Sequence, residues 1–130
     1  MSTKTIIIIS GIFGFLAVAI GALGAHALKP LLSDFQLQSF ETGVKYHFYH
    51  TLLLLILGFW KSENMSKQIK WACYLLIAGI VLFSGSIYIL NTAHLFTENG
   101  LRFLGPVTPV GGLMFMIAWI LIGFYSFNKN

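Results

Sequence analysis

Hydrophobic residues run along this chain in four long blocks, and charge is confined to the segments between them. Residues 6–25, 71–90 and 107–127 carry no charged side chain. A hydrocarbon core about 30 Å thick takes about 20 residues of helix, so each of these blocks is long enough to cross a bilayer. The remaining block, at 45–61, is shorter: fifteen uncharged residues separate Lys45 from Lys61, enough only if the preceding turns contribute and Lys45 snorkels to the interface. Those turns carry helical signals. Ser33 or Asp34 can cap, Glu41 and Lys45 are spaced to pair, and Leu37, Phe40, Val44 and His47 recur at helical intervals. The pattern predicts one long helix from about Asp34 to Trp60, with an amphipathic first half lying near the interface or against the bundle. The expected fold is all-α: an integral membrane four-helix bundle, one domain over residues 1–130, with spans at about 6–25, 45–61, 71–90 and 107–127.

Composition points the same way. Only 9% of residues are charged, against roughly a quarter in a soluble domain, while 57% are hydrophobic. Eight Lys or Arg and four Asp or Glu cannot cover the core of a water-soluble chain, so the bilayer is the expected solvent and partner of most side chains. The basic residues are scattered and form no stripe, which argues against nucleic acid. They read instead as topology signals. Lys4, Lys61, Lys67, Lys70 and Lys129 fall on one side of four spans; Lys29, Lys45 and Arg102 fall on the other, with Asp34, Glu41 and Glu98. The bias puts both termini in the cytoplasm of a multi-pass cell-membrane protein. Trp60 and Trp71 flank the lysine-bearing connection, as an interfacial belt would. Ala25-His26-Ala27 has the small-x-small form of a signal cleavage site, but the apolar run before it is longer than a signal core and only one lysine precedes it.

Close helix approach in lipid depends on small residues along one face. Ser10, Gly14, Ala17, Gly21 and Gly24 supply such a face on the first helix, alternating spacings of four and three. Ser84-Gly85-Ser86 places two hydroxyls beyond the midpoint of the third, where they can bond back to the preceding turn or across to a neighbour. Pro106 and Pro109 fix the start of the fourth helix, and the irregular backbone before it is expected to be tucked into the bundle. Cys73 is the sole cysteine, so neither an intramolecular disulfide nor a cysteine metal cluster is available.

No Asp, Glu, Lys or Arg lies near the middle of a span, which argues against a proton-coupled transporter or pump. His26, His47, His50 and His94 all fall toward the non-cytoplasmic side, with Tyr46 and Tyr49 beside the middle pair. Imidazoles could hold zinc or copper there, with Glu41 as a further ligand, or ligate haem from two helices. The simpler role is structural, since a neutral imidazole is at home at an interface when bonded to carbonyls or hydroxyls. No Cys-x-x-Cys-His, phosphate loop or serine-histidine-acid set is present.

Four segments in order resemble a known family, the small membrane proteins of uncharacterised protein family 0382, or domain of unknown function 423, which include the transmembrane protein 256 group. They are Gly21 to His26, Phe40 to His50, Phe83 to Tyr88 and Gly105 to Gly112. The resemblance covers essentially the whole chain and implies a multi-pass protein of the bacterial cell membrane with no assigned activity. His94 lies outside these segments, leaving His26, His47 and His50 as the metal or haem candidates.

The sequence reading favours a non-enzymatic bundle acting through a membrane-protein partner or as a homo-oligomer, with no cofactor expected. Its polar cluster is His26, Tyr46, His47, His50, Ser84, Ser86 and Thr108. One alternative is a metal- or haem-binding redox or assembly component; another is a small-solute channel or carrier lined by Ser84, Ser86, Thr108 and the histidines.

Overall fold

The computed structural model describes residues 1–60 and 65–127, and the described residues are helical without a strand. Lys61 and Lys129, counted above as topology signals, lie outside the described residues, as does the end of the 45–61 span. Helix α1 runs Thr3–Leu23 and continues through a π-helical turn at Gly24–Leu28. Helix α2 runs Asp34–Phe59. Helix α3, Lys67–Gly79, joins α4, Gly85–Thr92, through a second π turn at Ile80–Ser84, so the three form one rod. Short 3-10 turns at Ala93–Leu95 and Arg102–Leu104 lead to α5, Val107–Phe127.

The helix starts follow local chemistry. Ser2 and Ser66 accept from Thr5 N–H and Ile69 N–H. Ser33 forms a full capping box: its hydroxyl accepts from Gln36 N–H at 3.2 Å while Gln36 Oε1 accepts from Ser33 N–H at 2.9 Å. Pro109 sits in the first turn of α5, where its missing N–H breaks no helical bond. The i,i+4 pair expected of Glu41 and Lys45 does not close. Both side chains stand exposed, and no ion pair joins them. Such pairs contribute only a few tenths of a kcal/mol, too little to overcome competing solvation.

Glycine contacts give the order of the rods. Along α1 and α2, Gly58 meets Ile6 and Ile7, Gly14 meets Thr51, Gly21 meets Val44 and Gly24 meets Phe40, an antiparallel register maintained over the whole length of α1. The third rod is antiparallel to α2, with Gly43 against Ile87 and Tyr88. It is antiparallel to α5 as well, with Gly79 against Phe115 and Phe83 against Gly111. The third rod therefore packs between α2 and α5, and α1 lies along α2.

The apolar core is thin. Ile6, Leu54, Leu57, Ala72, Cys73, Leu76, Phe115 and Ala118 form it. Outside it stand large apolar side chains in numbers that water would not tolerate: Ile8, Ile12, Phe15 and Val18 on α1, Leu52, Ile56 and Phe59 on α2, and Leu113, Met116, Ile120 and Phe124 on α5. Three stretches, Thr3–Leu28, Lys67–Leu95 and Arg102–Tyr125, are long and apolar enough to cross a membrane. The charge pattern predicts four. Helix α2 has 26 residues but does not join the three on composition, because Lys45, His47, His50 and their flanking tyrosines dilute its apolar half.

Candidate functional site

Polar side chains concentrate along the face of α2 from Ser39 to His50, where it meets the π turn, α4 and α5. His50 is buried and uses both ring nitrogens. Trp119 Nε1 can only donate, and it reaches His50 Nε2 at 3.3 Å; Nδ1 therefore carries the proton and donates to the Tyr46 carbonyl at 2.7 Å. The ring also lies flat on Phe115, with centroids 3.6 Å apart and planes 6° from parallel. His47, one turn earlier, pairs Nδ1 with Tyr88 Oη at 3.1 Å and meets Phe13 edge to face. Its Nε2, like Thr51 Oγ1 on the next turn, is buried without a hydrogen-bond partner among the described residues. Tyr46 is half exposed and lays its ring against Phe83 and His50.

Above this level the contacts form a ladder. Ser84, fully buried, donates to the Gly43 carbonyl at 2.8 Å. Asn91 Nδ2 donates to Ser39 Oγ at 3.0 Å and to the Ile87 carbonyl at 2.8 Å. His94 Nδ1 accepts from Gln36 Nε2 at 3.4 Å, which leaves Nε2 to donate to the Leu31 carbonyl at 3.3 Å. On the opposite side of the third rod, Ser86 donates to the Phe83 carbonyl and receives the Thr108 hydroxyl at 2.6 Å. The two serines thus use both modes open to a hydroxyl in a membrane helix, back to its own turn and across to a neighbour. Interhelical bonds of this kind average about 0.6 kcal/mol. Ser84→Ala is expected to destabilise the protein by about 1 kcal/mol, because the Gly43 carbonyl keeps its helical bond and loses only its second partner. Unfolding of the two proteins in one detergent checks this; an unchanged midpoint would mean the bond contributes nothing.

The structure brings Tyr46, His47, His50 and Ser84 to one region and sets Ser86 with Thr108 on the other face of the third rod. It does not bring in His26, which stands exposed on the π turn after α1. Among the described residues no three His, Cys, Asp or Glu side chains are arranged to hold a metal ion. The small residues of α1 turn toward α2: Ser10, Ala17 and Gly24 are buried, Gly14 and Gly21 partly so. Ser10 closes its hydroxyl onto the Ile6 carbonyl at 2.8 Å. Sequence reasoning passed over Gln36, Ser39, Tyr88, Asn91 and Trp119 as site residues. Each is a single polar group whose partner lies more than 40 positions away, and only the antiparallel register brings the two together.

The comparisons agree with one another. The model of the family described as "Protein of unknown function (DUF423)" matches residues 20–112. UPF0382 membrane protein YwdK of Bacillus subtilis is 43% identical over 121 residues, covering 92% of this chain and 93% of that protein. UPF0382 membrane protein SAB0533 of Staphylococcus aureus is 40% identical, covering 96% and 97%. UPF0382 inner membrane protein YgdD of Escherichia coli K12 is 37% identical, covering 94% and 88%. No solved structure matches.

Proposed function

Because the chain belongs to the DUF423 family of UPF0382 membrane proteins, we propose that it is a four-span, non-enzymatic bundle of the cell membrane that works through a protein partner or through copies of itself. The observation that carries this reading is the use of its polar groups. Ser84, Ser86, Thr108, Asn91, His94 and both nitrogens of His50 are spent on bonds within the protein, so they join helices instead of lining a path or presenting a reactive face. Contact with other molecules is then left to the exposed apolar faces of α1 and α5 and to the loops.

In this reading α2 crosses as the second span. Its length is about 39 Å at 1.5 Å per residue, and its antiparallel packing between α1 and the third rod gives it the same depth as its neighbours. Both termini then face the cytoplasm with Lys67 and Lys70, and Trp60 and Trp71, half exposed or more, lie at that interface. Site-specific photocrosslinkers at exposed positions such as Phe15 on α1 and Ile120 on α5 are expected to capture a discrete partner or a dimer in native membranes. A strict monomer in mild detergents, with nothing captured from either face, would sink the partner reading.

A further inference from the structure

A pocket of about 150 Å³ opens between the end of α1 and the outer half of α2. Gly21, Gly24 and Ala25 form one wall, Phe40 and Val44 the other, and Glu41 and Lys45 stand at its edge. Its walls come from two of the segments that carry the family resemblance, and Gly21, Gly24, Phe40 and Val44 take no part in the polar ladder on the far side of α2. The glycines keep the two helices close here: a Cβ on Gly24 would come within 2.8 Å of the Phe40 ring, and one on Gly21 within 3.2 Å of Val44.

The two charges at the edge decide what fits. Glu41 and Lys45 have opposite sign, lie one helical turn apart, and bond neither to each other nor to any other described residue. A ligand complementary to both carries an anion beside Lys45 and a cation beside Glu41, separated by about the 6 Å that four residues of helix rise. The volume corresponds to about five waters at roughly 30 Å³ each, well below that of a drug-sized site. We infer that this pocket binds the headgroup of a phosphoethanolamine lipid, with the phosphate at Lys45 and the ammonium at Glu41.

The inference rests on the four-span reading, which places Lys45 deeper in the membrane than Glu41. Such a lipid has its charges in that order, phosphate toward the acyl chains and amine toward water. The primary ammonium can donate hydrogen bonds to the Glu41 carboxylate; the quaternary ammonium of a phosphocholine lipid cannot, and a phosphoglycerol lipid has no cation to offer. A lipid is favoured over a free zwitterion because the rest of the pocket is apolar and Leu23, between the two glycines, is exposed at the end of a lipid-facing helix.

The test uses the full chain in bilayers of equal parts phosphatidylethanolamine, phosphatidylcholine and phosphatidylglycerol with identical acyl chains, extracted gently and weighed with its retained lipid by native mass spectrometry. Phosphatidylethanolamine is expected to be retained over the other two by roughly three- to tenfold, as a charge-assisted bond at a partly wet site allows. Glu41→Gln is expected to erase the margin over phosphatidylcholine, and Lys45→Arg to preserve it. The exchanged chain, Glu41→Lys with Lys45→Glu, has the same net charge in the reverse order and is expected to lose the preference. Both side chains are exposed and bonded to no other described residue, so these variants should fold as the parent does. Equal retention of the three lipids, or a preference that survives the exchange, overturns the inference. If reporters on the two termini still fall on one side of the membrane in that case, the four-span reading stands and only the lipid assignment fails.

Discussion

Gly111→Ala will destabilise the protein by about 3 kcal/mol or more, the largest single effect we expect. A Cβ at this position would lie 2.8 Å from Phe83 Cα and closer still to the Phe83 nitrogen, so the obstacle is the main chain of the π turn, which no rotamer change can move. Overpacking ordinarily costs about 1–3 kcal/mol because side chains give way; here two backbones would have to separate, and the Ser86–Thr108 bond and the Phe115 contacts would go with them. Gly79, one turn away along the same seam, would meet the Phe115 ring at 2.6 Å, a softer obstacle. Alanine at Gly11 or Gly123, where nothing lies within 4 Å, should be neutral or slightly stabilising. Unfolding midpoints of the four variants in one detergent give the ranking, and a Gly111→Ala protein as stable as Gly11→Ala would show that α5 does not approach the π turn this closely.

His50 is the second position with a large expected effect. Truncation to alanine removes a ring stacked on Phe115, leaves a cavity beside the core and frees the Trp119 N–H, for a cost of about 3 kcal/mol. Phenylalanine keeps the flat ring and loses two hydrogen bonds worth about 0.6 kcal/mol each in a membrane, so His50→Phe should cost about 1 kcal/mol. The difference between the two substitutions identifies the role. If His50 were a ligand to a metal or haem, both would abolish binding equally, and absorption spectra and elemental analysis of the purified proteins would show the loss. A His50→Phe protein that retains most of its stability and associates like the parent supports a histidine that packs and bonds.

The helices were legible in the sequence because charge and proline delimit them. Ser33 and Asp34 announce the start of α2, Pro106 and Pro109 that of α5, and the uncharged runs fix the rods to within a few residues. Position within the bundle was not. The sequence groups His26, His47 and His50 at one end, but His47 meets Phe13 near the middle of the α1 rod while His26 emerges exposed on the π turn at its end.

The π turns were illegible for a related reason. Ile80–Ser84 reads as ordinary helix, and its widened turn shows only when Phe83 meets Gly111. Gly14, Gly21 and Gly24 lie against α2, yet the tightest approach falls at Gly111, because closeness depends on what the opposing helix presents. Asn91 and Ser39, or His94 and Gln36, carry no local signal at all.

Whether α2 crosses the membrane is decided by the side on which each terminus lies. In a Cys73→Ala background, which removes a buried thiol, single cysteines at Ser2, at Glu98 and appended to the C-terminus are exposed to a membrane-impermeant thiol reagent in intact and permeabilised cells. Four spans predict that Glu98→Cys reacts in intact cells while the two terminal cysteines react only after permeabilisation. A C-terminal cysteine that reacts in intact cells, with Ser2→Cys and Glu98→Cys protected, would instead mean three spans with α2 lying along the surface, and would contradict the account.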